Sequence, residues 1–155
     1  MSTGLSPRLL AIVDALPLRP GLRVLEIGCG PGAMAREIVR RIGDGHVLAI
    51  DRSPRAVARA RAASRAEIAA GRLGIRLAAV ESFVLQPGEA PYDLAVAVRV
   101  GALDGRHPEL EGDAHRRVAA ALAPDGRLFV DGDSGLREVG LRSQAGRTRS
   151  RAGGR

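Results

Sequence analysis

Apolar positions along the chain change their period several times, and each change marks an element. Leu9, Leu10, Ile12, Val13 and Leu16 fall at helical spacing behind Ser6-Pro7. A serine there can accept from the free amides of a first turn, and proline suits the first helical position. A helix is predicted over 6–16, ended by residues 17–21. Residues 22–27 are a short apolar run with β-branched members, cut by Gly28-Cys29-Gly30-Pro31-Gly32: a strand feeding a tight turn. Met34, Ile38 and Ile42, with Val39 beside them, predict a helix that stops at Gly43-Asp44-Gly45. A second strand over 46–50 ends at Asp51, and Ser53-Pro54 repeats the cap to open a long Ala/Arg helix reaching about residue 70. A third strand is predicted over 75–80, a loop over 87–91 and a fourth strand over 92–98. That fourth strand is apolar at nearly every position, as a parallel strand covered on both faces should be. A helix over 108–122, closed by Pro124-Asp125-Gly126, and a fifth strand over 127–131 complete the alternation.

Strands alternating with helices imply right-handed crossovers and a doubly wound, mainly parallel α/β sheet. Ligands of such sheets lie beyond the carboxyl ends of the strands, at the switch point. The loop over 28–32, Asp51, the turn at Val80, Glu81 and Ser82, and the loop over 99–107 therefore share one rim. The glycines let the chain turn sharply and let a ligand approach without obstruction from Cβ atoms. Asp51 follows Gly28 by twenty-three residues, where a carboxylate can accept two hydrogen bonds from a ribose diol. A nucleoside-containing ligand is expected. Gly28-x-Gly30-x-x-Ala33 also fits the loose dinucleotide fingerprint. Two features weigh against NAD: the length, which leaves no room for a catalytic domain, and Glu26, an acid inside the strand before the glycines.

Val24-Leu25-Glu26-Ile27-Gly28-Cys29-Gly30-Pro31-Gly32 resembles motif I of class I S-adenosylmethionine-dependent methyltransferases. Ala49-Ile50-Asp51-Arg52-Ser53-Pro54, Tyr92-Asp93-Leu94-Ala95-Val96 and Leu122-Ala123-Pro124-Asp125-Gly126-Arg127-Leu128 resemble the family's later segments in order. The likeness covers roughly residues 6–131. It implies a Rossmann-like sheet of strand order 3-2-1-4-5 and S-adenosyl-L-methionine as cofactor. Glu26, Gly28 and Gly30, within a loop that includes Cys29 and Gly32, would hold the methionine part. Asp51, next to Arg52, would hold the ribose hydroxyls. Val80, Glu81 and Ser82 would flank the adenine, with Val98 at the end of the fourth strand. Ala79-Val80-Glu81 departs from the family's frequent Gly-Asp here, which leaves the adenine acceptor open. Cys29 is assigned no chemistry of its own.

Methyl transfer from a sulfonium is an in-line displacement, so positioning and exclusion of water can supply much of the catalysis, and no catalytic residue is assigned. The fourth strand ends Ala97-Val98-Arg99-Val100, without the Asn/Asp-Pro-Pro-aromatic motif of enzymes that methylate exocyclic amines of nucleic acids. No Pro-Cys pair suits attack at cytosine C5, and no carboxylate at that strand end suits the magnesium of catechol-type enzymes. Arg99 is either a ligand for a substrate carboxylate or phosphate or an ordinary solvated arginine; His107 is either a base or a surface histidine. A small-molecule acceptor is expected. The alternatives are a non-catalytic cofactor-binding or regulatory protein and a nicotinamide-binding protein.

Composition changes this picture at two points. All 24 basic residues are arginine, and five of the seven net positive charges fall within 137–155, which holds six arginines and one glutamate. The chain is therefore divided into a domain over 1–136 and an Arg/Gly-rich, disordered tail over 137–155; contact of that tail with nucleic acid is the less favoured reading. The resemblance calls for an antiparallel hairpin beside the fifth strand, but the residues after Asp131 turn rich in Gly, Ser and Arg. The chain reads as a C-terminally short member lacking a clear hairpin, its bare sheet edge open to a homodimer. The lone Cys29 leaves no disulfide and no Cys-rich metal site. With no membrane-length apolar run and no signal pattern at the start, a cytoplasmic protein is expected.

Overall fold

The computed structural model describes residues 4–141. Helix α1 (Pro7–Ala15) begins as its sequence demands, with Ser6 Oγ accepting from Leu9 N at 3.3 Å and Pro7 at the first position. Strand β1 (Arg23–Ile27) leads through the glycine loop into α2 (Ala33–Arg41), then β2 (His46–Asp51). Ser53 Oγ caps α3 (Pro54–Ala63) by accepting from Ala56 N at 3.2 Å. The helix expected to reach residue 70 is interrupted at Ser64 and resumes as α4 (Arg65–Ala69). Ser64 is fully buried, and its hydroxyl accepts from Arg36 Nη1 at 3.0 Å, a tie from α2 that holds the break.

Strand β3 (Leu73–Leu77) lies earlier than the predicted 75–80, because its pairing with β2 runs from Val47–Leu73 to Asp51–Leu77 and ends where β2 ends. A single 3₁₀ turn, Val80–Ser82, follows. Strand β4 (Tyr92–Val98) matches its prediction. The loop expected over 99–107 contains a short helix, α5 (Gly101–Asp104), before α6 (Pro108–Ala121). Strand β5 (Leu122–Gly132) starts five residues early: Leu122 already pairs with Tyr92, and the register then shifts by a bulge before Leu94 meets Arg127. Pro124-Asp125-Gly126 sits inside that bulge rather than ahead of the strand.

The expected lack of a hairpin is corrected by β6 (Gly135–Val139), which pairs antiparallel with β5 from Leu128–Val139 to Gly132–Gly135. Gly135, at φ +89°, supplies the left-handed residue that closes the tight turn. The sheet order is β3-β2-β1-β4-β5-β6. The bare β5 edge that motivated the dimer is therefore covered. Arg137, Glu138 and Val139 of the expected tail belong to this strand, and the part of that tail over 142–155 lies outside the described residues.

The sheet separates two apolar layers. Val24, Val47 and Val96 face α1 and α2, meeting Val13, Ile38 and Ile42. Leu25, Ile50, Ala95 and Leu128 face the other way, against Leu103, Ala114 and Val118. Alternation along β1 thus puts Glu26 on the α2 side, in the same layer as Val24. No helix among the described residues is long and apolar enough to cross a membrane.

Candidate functional site

Where β1 ends, the chain must turn at once into α2, and the turn is held by neighbouring backbone. Gly28 N and Cys29 N both donate to Ile50 O, at 2.8 and 3.0 Å, so the loop is hung on β2. Gly30 N donates to Asp51 Oδ2 at 3.0 Å, while Oδ1 of the same carboxylate accepts from Ser53 N at 2.9 Å. Each oxygen keeps acceptor capacity for a further partner. Gly28 is required twice over: its φ is +74°, and a Cβ there would lie 2.8 Å from Val100 Cγ2. At Gly30, φ +51°, a Cβ would meet nothing within 4 Å, so this face of the loop is open.

Behind the loop, Arg36 Nη1 donates to Pro31 O at 3.0 Å as well as to Ser64. Glu26 lies beneath, 3% exposed, and its Oε2 has no hydrogen-bond partner. Burial, reinforced by the charge of Asp51 and partly opposed by Arg36, pushes the Glu26 carboxyl up to about 8. A buried acceptor without a partner is costly, and this one lies in β1, the strand that leads directly into the glycine loop.

A cleft of about 430 Å³ opens at the carboxyl ends of β1, β2 and β4, within the usual size of small-ligand sites. It unites Gly28, Gly30, Asp51, Arg52, Val80, Glu81 and Val98, all expected from the sequence. Glu26 forms no part of the wall. Cys29 and Gly32 turn into the protein: the Cβ position of Gly32 faces Ala60 and Ser64 at 3.3 and 3.4 Å. Burial, then the charges of Glu26 and Asp51, push the Cys29 thiol up to about 12, leaving it protonated. Ser82 also stands off the cleft, its hydroxyl donating to Ala79 O at 3.3 Å. Arg99 and His107 both line the wall, and so do Arg106 and the start of α5, which belong to the rim loop expected over 99–107 but were not singled out within it. Four helical residues carry no readable period, so only Gly101 hinted at the tight packing there, where an added Cβ would lie 2.4 Å from His107 Cδ2. His107 Nδ1 lies 3.3 Å from Glu109 Oε1.

The methyltransferase domain family matches residues 24–126, which contain this loop, Asp51 and β4. The chain belongs to the class I S-adenosylmethionine-dependent methyltransferases. It is 36% identical over 126 residues to nocamycin O-methyltransferase of Saccharothrix syringae, covering 81% of this chain and 41% of that protein. It is 37% identical over 89 residues to trans-aconitate 2-methyltransferase of Streptomyces avermitilis, covering 57% of this chain and 32% of the relative. An S-adenosylmethionine-dependent methyltransferase from Thiobacillus denitrificans, solved with S-adenosylhomocysteine, shares the fold at a TM-score of 0.63 and 24% identity, over 81% of this chain and 48% of that one. This methyltransferase-family chain thus spans less than half the length of each of these proteins.

Proposed function

We propose that this methyltransferase-family chain binds S-adenosyl-L-methionine in the cleft at the ends of β1, β2 and β4 and passes its methyl group to a small-molecule acceptor. The bond from Gly30 N to Asp51 Oδ2 carries this reading, because it sets loop and acid as one rigid unit facing the cleft. The residues suit the cofactor: an open glycine face, a carboxylate with spare acceptors and an unpartnered buried acid under the loop. Asp51 holds the ribose hydroxyls, and the Gly28–Gly30 backbone with Glu26 beneath it holds the methionine end. Val80 and Glu81 flank the base. When bound, the cofactor supplies an electrophilic methyl on sulfur. The protein's part is to orient the acceptor in line with it and to exclude water. A small-molecule acceptor draws support from the names of two relatives, which act on nocamycin and trans-aconitate.

Calorimetric titration with S-adenosylmethionine, S-adenosylhomocysteine and NAD tests the reading. Both sulfur nucleosides should bind while NAD stays silent. A protein that takes up NAD, or none of the three, overturns it.

A further inference from the structure

Beside the cofactor cleft lies a second opening of about 600 Å³ at the ends of β4 and β5, and the two share Arg99 and Arg106. Its lining differs sharply from an ordinary small-molecule pocket, which is mostly apolar. Every side chain in it is charged, and the remaining positions are glycines. An apolar acceptor finds no surface to bury there.

Most of these charges neutralise one another. Arg8 pairs with Asp131, whose carboxylate is nearly buried. Arg106 Nε lies 2.9 Å from Asp104 Oδ2, and its Nη2 donates to Arg99 O at 2.7 Å. The Arg99 guanidinium makes no hydrogen bond or ion pair with any described residue, although it stands where the two openings meet. Asp133, without an ion pair among the described residues, lines only the outer opening, so where the two openings meet the uncompensated side chain is that of Arg99; Asp51, Arg52 and Glu81 line the cofactor cleft alone.

The backbone holds Arg99 in this place. Among the described residues it is the one non-glycine with positive φ, +55°. An L side chain stays in that region when its surroundings hold it there, and such strain gathers at functional positions. The bond from Arg106 to its carbonyl does part of this, and the close approach of Val100 to Gly28 fixes the segment from the other side.

Resting on the cofactor reading above, we infer that the acceptor is a small, strongly polar oxyanion, a carboxylate or phosphate, whose anionic group sits on the Arg99 guanidinium between the two clefts. The planar fork of arginine matches either group with two parallel hydrogen bonds. Fixing the anion there leaves the rest of the acceptor to reach the methyl from the β4 side.

The test uses the full chain and begins by saturating it with S-adenosylhomocysteine, so that failure at this step strikes the cofactor reading alone. The loaded protein is then titrated with succinate, with inorganic phosphate and with neutral 1,4-butanediol. Binding of succinate or phosphate in the millimolar range, weakened by salt, with butanediol silent, is expected; whichever oxyanion binds tighter names the source. Arg99→Asn tolerates a left-handed backbone but lacks the charge, and it should lower oxyanion affinity about tenfold or more at saturating nucleoside. Arg99→Lys keeps the charge without the fork and should retain part of the affinity. Failure of both oxyanions to bind loaded protein, or equal binding by Arg99→Asn and the parent, overturns the inference. Should Arg99→Asn fail to load, Arg99→Lys decides by the same comparison.

Discussion

On the β1–β2 side of the rim the backbone itself makes the site, whereas on the β4–β5 side charged side chains from separate segments make it. The glycine loop is hung on Ile50 O and on Asp51, directly above strands with no exposed apolar side chain. The opposite side is assembled from Arg8, Arg99, Asp104, Arg106 and Asp131, drawn from α1, the end of β4, α5 and β5. Backbone bonds fix position to a fraction of an ångström at little entropic cost. Long paired side chains instead spend rotamer freedom and are screened by salt. A cofactor common to a whole family suits the first kind of site. An acceptor that differs between relatives suits the second, where a few substitutions redraw the charge pattern.

The largest expected effect breaks the rigid side. Ile50 is fully buried, and Ile50→Ala should lower unfolding free energy by about 2–5 kcal/mol, read by denaturant titration. Leu136→Ala, on half-buried β6, should cost clearly less. Equal losses at the two positions would erase the contrast.

Glu26 sharpens the comparison through pH. Its carboxyl rises from 4.5 to about 8 on folding, so between those values the folded protein keeps a proton that the unfolded chain has released. Stability must then fall as pH rises through that window, at up to about 1.4 kcal/mol per unit. Glu26→Gln should remove this decline and be the more stable protein at pH 8. A parent stability curve flat from pH 5 to 8 would contradict the burial argument.

Asp51→Ala comes next. Losing charge-assisted bonds to the ribose should weaken S-adenosylhomocysteine binding by about 1.5–3 kcal/mol, measured calorimetrically. Unchanged affinity would remove Asp51 from the site. The smallest effect belongs to the far edge, where Arg127 Nε meets Glu138 Oε1 at 2.7 Å across β5 and β6 on the exposed surface. Arg127→Ala should leave the thermal midpoint unresolved from the parent's, as exposed pairs contribute little.

Legibility followed the same division. Gly28, Gly30 and Asp51 were readable because their meaning is local: a strand end, a forced turn and an acid at the next strand end. The break at Ser64 was not, since it depends on Arg36, twenty-eight residues earlier in the chain. Strand β6 was hidden for a similar reason. Its Gly-Leu-Arg-Glu-Val has weak alternation, and only the waiting edge of β5 makes it a strand. Arg106 was placed on the rim only as part of the loop over 99–107 and not singled out, because nothing near it in sequence signals that its guanidinium will reach back to Arg99 O.

What the sequence determined by itself was the order of strands and helices, the helix caps at Ser6 and Ser53, the parallel core and the glycine loop at the end of β1. Each of these follows from side-chain period or from backbone freedom within a few residues. The tertiary structure alone decided that the arginine where the two openings meet is left uncompensated, which carboxyl is buried without a partner and which short segment closes the sheet. Those outcomes depend on charges and edges brought together from distant parts of the chain, and the energy of such a pairing is absent until the fold has made it.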